Sequence, residues 1–318
     1  MATKPPLSPY PWQERQWQRM TRLIETDKLP HALLLSGIEE TGKLDFALAL
    51  AVRLLCQKPR AGRACGDCRA CKLYEAGSHP DLLRVEPGAP GKAISVDAIR
   101  ELSAFTAKTA MLGGWRIVIV NPAEAMTRSA ANALLKTLEE PGEATLLLMI
   151  YHQKGELLAT IRSRCQSLLF PTPSVDQVAP WLRQQVGDPA EVDGLIKLGA
   201  GRPLRALRAT AAVIREELLV FDRVLNALSE NHMSPVQAAE ELVALAPLDF
   251  IEYLLNRHCR EIRGGFLDSR LPNPSVFVYL DQLLSAKRMV MSKANPNAQL
   301  LAEELLMGWQ QARSITRP

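Results

Sequence analysis

The stretch Gly37-Ile38-Glu39-Glu40-Thr41-Gly42-Lys43-Leu44 decides how this chain is read. It follows an apolar run, Ala32–Ser36, and opens a segment where Leu44, Ala47, Leu48 and Ala51 recur at helical spacing. Strand, glycine loop and helix in that order are the setting of the phosphate-binding loop G-x-x-x-x-G-K-[ST], and seven of eight positions conform. In a working loop, main-chain N–H groups cradle phosphates, the lysine pairs with their charge, and the Ser or Thr hydroxyl ligates magnesium. Here Gly37, Gly42 and Lys43 keep that scaffold, but Leu44 offers no ligand atom. Glu39 and Glu40 add Coulomb repulsion where a polyphosphate would lie. The geometry is retained and the chemistry is damaged.

Outward from the loop, further β-rich apolar runs lie at Asp81–Val85, Arg116–Val120, Thr145–Ile150 and Ser167–Phe170. They alternate with helical patterns, which predicts a mostly parallel five-stranded sheet flanked by helices. Ala131, Leu134, Leu135 and Leu138 mark one helix, with Thr127 or Ser129 as its cap and Pro141-Gly142 as its stop. A hydrolytic site of this kind ends its third strand in acidic residues that hold magnesium and polarise water. Arg116–Val120 runs instead into Asn121-Pro122, neither of which is a base. Glu124 lies nearby as a substitute base, beyond a proline that resets the backbone. A nucleotide-hydrolase fold that has lost hydrolysis fits these residues better than an active ATPase.

Four of the six cysteines cluster as C-x8-C-x2-C-x2-C: Cys56, Cys65, Cys68 and Cys71. Four thiolates brought together by short spacings suit a structural zinc site. An iron–sulfur ligand set and unliganded thiols are the alternatives. Six basic residues and one acid, Asp67, lie between Arg53 and Lys72. They either offset the negative charge of a zinc held by four thiolates or form a nucleic-acid patch. Cys165 and Cys259 stand alone.

Beyond Pro171-Thr172-Pro173-Ser174 the pattern is helical throughout. With 318 residues, more than one core is expected. The division read from the pattern is an α/β domain at 1–170, a small helical domain at 171–212 and a larger helical domain at 213–318. In the last helix Leu301, Leu305 and Trp309 share one face and read as core, while Pro272–Pro274 and Asn295–Asn297 read as interhelical loops. A hydrophobic content of 47% with 23% charged residues excludes wholesale disorder. The net charge of +4 is compatible with work near nucleic acid without arguing for it. The N-terminal residues lack a signal-peptide core and no apolar run is long enough to span a bilayer, so a cytoplasmic protein is expected.

The segment Asn132-Ala133-Leu134-Leu135-Lys136-Thr137-Leu138-Glu139-Glu140-Pro141 resembles the clamp-loader branch of the AAA+ ATPases. So does Ser163-Arg164-Cys165, preceded by Leu158-Ala159-Thr160-Ile161-Arg162. The four-cysteine insertion between first helix and second strand, Tyr10-Pro11-Trp12 and Asn297-Ala298-Gln299-Leu300-Leu301 are similar to bacterial loader subunits, so the resemblance covers nearly the whole chain. It implies an AAA+ P-loop-type sheet domain with a zinc module, a small helical lid domain and a C-terminal helical collar. It further implies a five-membered ring with the motor subunit and delta of the DNA polymerase III loader, acting on the sliding clamp and primed DNA. In that ring this chain would be the member that uses neither ATP nor magnesium. Arg164 would be an arginine finger for the neighbouring ATP site, with Ser163 and Cys165 packed to aim it; a local ion pair is the alternative. The ATP-sensing arginine of the family falls near Leu204; Arg205 lies one place later and would reach a phosphate if the register slipped by one, and the sensor after the fourth strand is replaced around Tyr151-His152. The competing readings are an active AAA+ ATPase, as loader motor or repair-helicase relative, and a zinc-dependent DNA-binding protein of another kind.

Overall fold

Ala32–Ser36 forms strand β1, buried at every residue, and it sits inside a five-stranded parallel sheet. The structure is a computed structural model that describes residues 7–89, 91–153, 155–186, 191–199, 201–208, 212–242, 247–267, 274–291 and 296–314. The other strands are β2 (Leu82–Val85), β3 (Arg116–Val120), β4 (Thr145–Tyr151) and β5 (Gln166–Leu169), in the order β2-β3-β4-β1-β5. Leu34 pairs with Met149 of β4 on one side and Ser167 of β5 on the other, while Val118 of β3 pairs with Leu83 and Leu147. Because β1 lies between the last two strands, the loop that follows it emerges where the strand order reverses. That is where α/β sheets place their ligands.

Packing divides the chain into two units, Met1–Leu207 and Arg208–Pro318. Helices of the first unit are α1 (Glu14–Glu25), α2 (Lys43–Leu55), α3 (Arg69–Glu75), α4 (Val96–Thr106), α5 (Arg128–Glu139) and α6 (Ala159–Arg162). They are followed by α7 (Val175–Gln185), α8 (Val192–Gly199) and α9 (Pro203–Arg208). Side chains alternate across a strand, so Leu33, Leu35, Ile117, Ile119, Leu146 and Leu148 pack with Trp17, Met20 and Phe46 from α1 and α2. Leu34, Val118, Leu147 and Met149 pack on the opposite face with Ile99, Leu102, Leu134 and Leu138 from α4 and α5. Covering both faces is what makes these strands read as unbroken apolar runs. Truncating any one of these buried leucines to alanine costs ~2–5 kcal/mol.

Strand limits differ by one residue at four ends: β2 starts one residue later than expected, β4 ends one later, and β5 both starts and ends one earlier. Asp81 precedes β2 because its buried carboxylate accepts the main-chain N–H groups of Met111 at 2.7 Å and Leu112 at 3.0 Å. Phe170 follows β5, yet its N–H still reaches the Ser36 carbonyl at 2.7 Å. β4 continues to Tyr151 by pairing with Ser36. Thr127, not Ser129, caps α5 by accepting the Ala130 N–H at 3.1 Å.

The second unit is helical among its described residues: α10 (Ala212–Ser229), α11 (Pro235–Leu242), α12 (Pro247–Leu267), α13 (Pro274–Met291) and α14 (Ala298–Ser314). Leu301, Leu305 and Trp309 of α14 are buried, as their shared face predicts. Residues 272, 273 and 295 of the expected loops lie outside the described residues, as do 209–211 beside the expected boundary at 212. Among the described residues, no helix is long and apolar enough to cross a membrane.

Candidate functional site

The phosphate-type loop has the expected scaffold. Gly37 follows β1 where a Cβ would lie 2.3 Å from the Phe170 carbonyl oxygen, so only glycine fits the approach of β5. Gly42 has φ +83°, in the left-handed region that favours glycine. A Cβ there would also meet the Tyr10 ring at 2.5 Å. Lys43 is buried, and its ammonium donates to the loop's own carbonyls, Gly37 O at 2.7 Å and Ile38 O at 2.5 Å. Leu44 packs with the apolar cluster beneath α2.

The flanks of the loop are closed by protein. Trp12 Nε1 donates to Thr41 O at 3.0 Å, and the buried Gln13 amide donates to Thr41 O at 3.0 Å and Gly42 O at 2.9 Å. Tyr10 stacks on Trp12 with ring centroids 4.8 Å apart, and Trp181 of α7 meets both rings edge-on. The Tyr10 hydroxyl donates to Asp45 at 3.1 Å; burial first, then the Asp45 charge, push its pKa well above the ordinary value. On the other side, Leu204 N–H of α9 donates to Glu40 O at 3.1 Å. Leu204 is thus tied to the loop by its backbone, and Arg205 follows it on α9.

The residues expected near a catalytic base have structural partners. Asn121 N–H donates to Val85 O at 3.0 Å, extending the sheet. Glu124 Oε1 accepts the His152 main-chain N–H at 2.8 Å, tying the turn after β3 to the end of β4.

At the far end of α5, the two motifs that carry the loader resemblance meet. Arg164 donates through Nε to Glu139 Oε1 at 2.8 Å and through Nη1 to Thr160 O at 3.0 Å. Ser163 donates to Thr160 O at 3.1 Å. Cys165 packs against the α5-side core, and burial pushes its thiol up to about 11, which disfavours the thiolate form.

The sulfurs of Cys56, Cys65, Cys68 and Cys71 all lie within 4.8 Å of one another. Cys56 ends α2, Cys68 caps α3 and Cys71 lies within α3, so two helices and one loop converge on the site. The Cys56–Cys68 and Cys65–Cys71 sulfur pairs are 3.9 and 4.0 Å apart. A single tetrahedral ion with metal–sulfur bonds of ~2.3 Å spaces its sulfurs by ~3.8 Å. A multi-iron cluster would hold them farther apart, so the donors fit one metal ion. Main-chain N–H groups donate to Cys56 and Cys65 sulfurs at 3.3 and 3.4 Å, and the Asp67 N–H leads in lowering the Cys65 thiol pKa. Nearby cations are engaged loosely, Arg60 with Asp67 at 3.9 Å and Arg63 with Glu14 at 3.8 Å.

Two parts of this site escape sequence reasoning. Tyr10-Pro11-Trp12 carries a resemblance but no hint that Trp12 and Gln13 cover the loop. Glu139 stands inside a quoted motif with nothing to mark it as the partner of Arg164.

Residues 12–174 match the family described as DNA polymerase III, delta subunit. DNA polymerase III subunit delta' of Pseudomonas aeruginosa is 38% identical, covering 94% of this chain and 97% of that protein. The Bacillus subtilis delta' subunit is 42% identical over 50% of this chain and 47% of its own. A DNA polymerase III gamma subunit-related protein from Thermotoga maritima has a TM-score of 0.50 at 20% identity, covering 94% of this chain and 99% of that one, a likeness of fold. Identity of 38% over nearly the full length of both chains, together with the family match over residues 12–174, places the chain in the DNA polymerase III subunit delta' family.

Proposed function

We propose that this chain is the non-hydrolysing member of a clamp-loader ring and that it completes a neighbour's ATP site with Arg164. The observation that carries the first half is Lys43. Its ammonium is bound to Gly37 and Ile38 carbonyls inside a loop whose flanks are covered by Trp12, Gln13 and α9. A triphosphate would have to displace those contacts and would then find Leu44 where magnesium needs a hydroxyl and Asn121 where water needs a base. Gly37, Gly42 and Lys43 therefore serve as architecture.

Arg164 supports the second half. Arginine is always charged and planar, and it grips two phosphate oxygens at once. In phosphoryl transfer such a finger neutralises the charge spreading over the γ-phosphoryl oxygens. Within the ring, 171–212 would act as lid and 213–318 as collar, beside the motor subunit and delta, so that the assembly loads the sliding clamp on primed DNA. Cys56, Cys65, Cys68 and Cys71 would hold one structural zinc, which fixes the insertion between α2 and β2. Phosphate release by the purified chain tests the silent half: a rate no higher than a mock preparation is expected, and sustained ATP turnover overturns it.

A further inference from the structure

We infer that Glu139 is the positioning residue of the Arg164 finger, an inference that rests on the trans-acting role proposed above. A guanidinium has five N–H donors. Arg164 uses three of them: Nε and Nη2 both donate to Glu139 Oε1, at 2.8 and 2.5 Å, and Nη1 donates to Thr160 O at 3.0 Å. One N–H therefore remains on each terminal nitrogen. Those two donors are the pair that grips two oxygens of a phosphoryl group bidentately. The Arg164 side chain is 33% exposed, so its stem is held while its tip stays reachable.

Glu139 is the last residue of α5. An acid there opposes the helix macrodipole, so helix stability gives no reason for its presence. Its contact is with the arginine, and the exposed pair adds little to overall stability. What the pair does is restrict a long side chain. Ordering a rotamer-rich side chain costs ~0.5–1.5 kcal/mol when it must be done at the moment of contact. With Glu139 in place, that ordering precedes the arrival of the neighbour's nucleotide.

The test uses the assembled loader with variants of this chain and measures steady-state ATPase against ATP concentration. Glu139→Ala is expected to slow the site that Arg164 serves about 2- to 13-fold, the rate equivalent of that ordering cost, so that the loader's kcat falls part of the way to the Arg164→Ala value with KM for ATP unchanged. Glu139→Gln keeps an accepting oxygen and is expected to stay close to wild type. In an Arg164→Ala background, Glu139→Ala is expected to add nothing, because its effect runs through the arginine. Melting curves of the isolated variants confirm that the fold is kept. A Glu139→Ala loader at or above the wild-type rate, beside a slow Arg164→Ala loader, overturns the positioning role alone. A loss that persists in the Arg164→Ala background does the same. An Arg164→Ala loader at the wild-type rate overturns the finger itself.

Discussion

Lys43 Nζ lies 2.7 Å from the Gly37 carbonyl oxygen, so the lysine at the phosphate position donates a hydrogen bond to the first residue of its own loop. The contact is buried, and Trp12 and Gln13 bind Thr41 and Gly42 carbonyls next to it. These bonds tie the loop into a corner between the Tyr10–Gln13 segment, α2 and the sheet.

Repairing the missing ligands is therefore expected to fail. Leu44→Ser combined with Asn121→Asp restores a hydroxyl and an acid, yet Lys43 stays on Gly37 and Ile38, and Gln13 stays over Gly42. Coupled phosphate-release assays on the double variant should remain at background. Turnover by that variant would mean that ligand loss alone silences the site.

The close approach at Gly37 gives a stability prediction. Gly37→Ala puts a Cβ 2.3 Å from the Phe170 carbonyl oxygen and 3.1 Å from its Cβ, both on β5's continuation. Overpacking against backbone typically costs ~1–3 kcal/mol. The urea midpoint should fall accordingly, and an unchanged midpoint would show that β5 moves aside freely.

Metal content separates the clustered cysteines from the isolated ones. One zinc per chain is expected by elemental analysis, lost on Cys68→Ser and kept on Cys165→Ser, because Cys165 sits in the α5-side core. Chelation should lower Tm for the wild type and leave the Cys68→Ser variant unmoved. Full zinc in Cys68→Ser would show the ligand set is wrong.

His79 gives a pH dependence. Its Nδ1 accepts the Asp81 N–H at 3.1 Å, and burial holds the imidazole below its ordinary value of 6.5, against an upward pull from Asp81. The unfolded chain then binds that proton more readily, so stability rises with pH across this window. His79's contribution is complete above pH ~6.5 and is lost as pH falls toward the folded value. His79→Asn, which keeps an acceptor, should flatten the loss of urea midpoint over that range; an unaltered profile would assign the slope to another group.

What could be read from residue order was whatever is local or buried on both sides. The strands were legible because both sheet faces are covered, Ile117 and Leu148 packing on one and Val118 and Leu147 on the other, and the cysteine module because its spacings are short. Thr127 was legible as one of two caps. The Trp12–Thr41 and Gln13–Gly42 bonds were not, since they join segments far apart in sequence, and only packing of α1 beneath β5 brings them together. Glu139 lies 25 residues from Arg164, and its role depends on how α5 and α6 meet. Asp81 looked like strand because its demand for the 111 and 112 amides is invisible in a local window.

The most direct measurement is the ATPase rate of the assembled loader with primed DNA and clamp, carrying either the wild-type chain or Arg164→Ala. An arginine finger accounts for ~10³–10⁵ in rate at the site it serves. Arg164→Ala is expected to remove that site's share of turnover while the ring still assembles. Equal rates with the two chains would contradict the finger role.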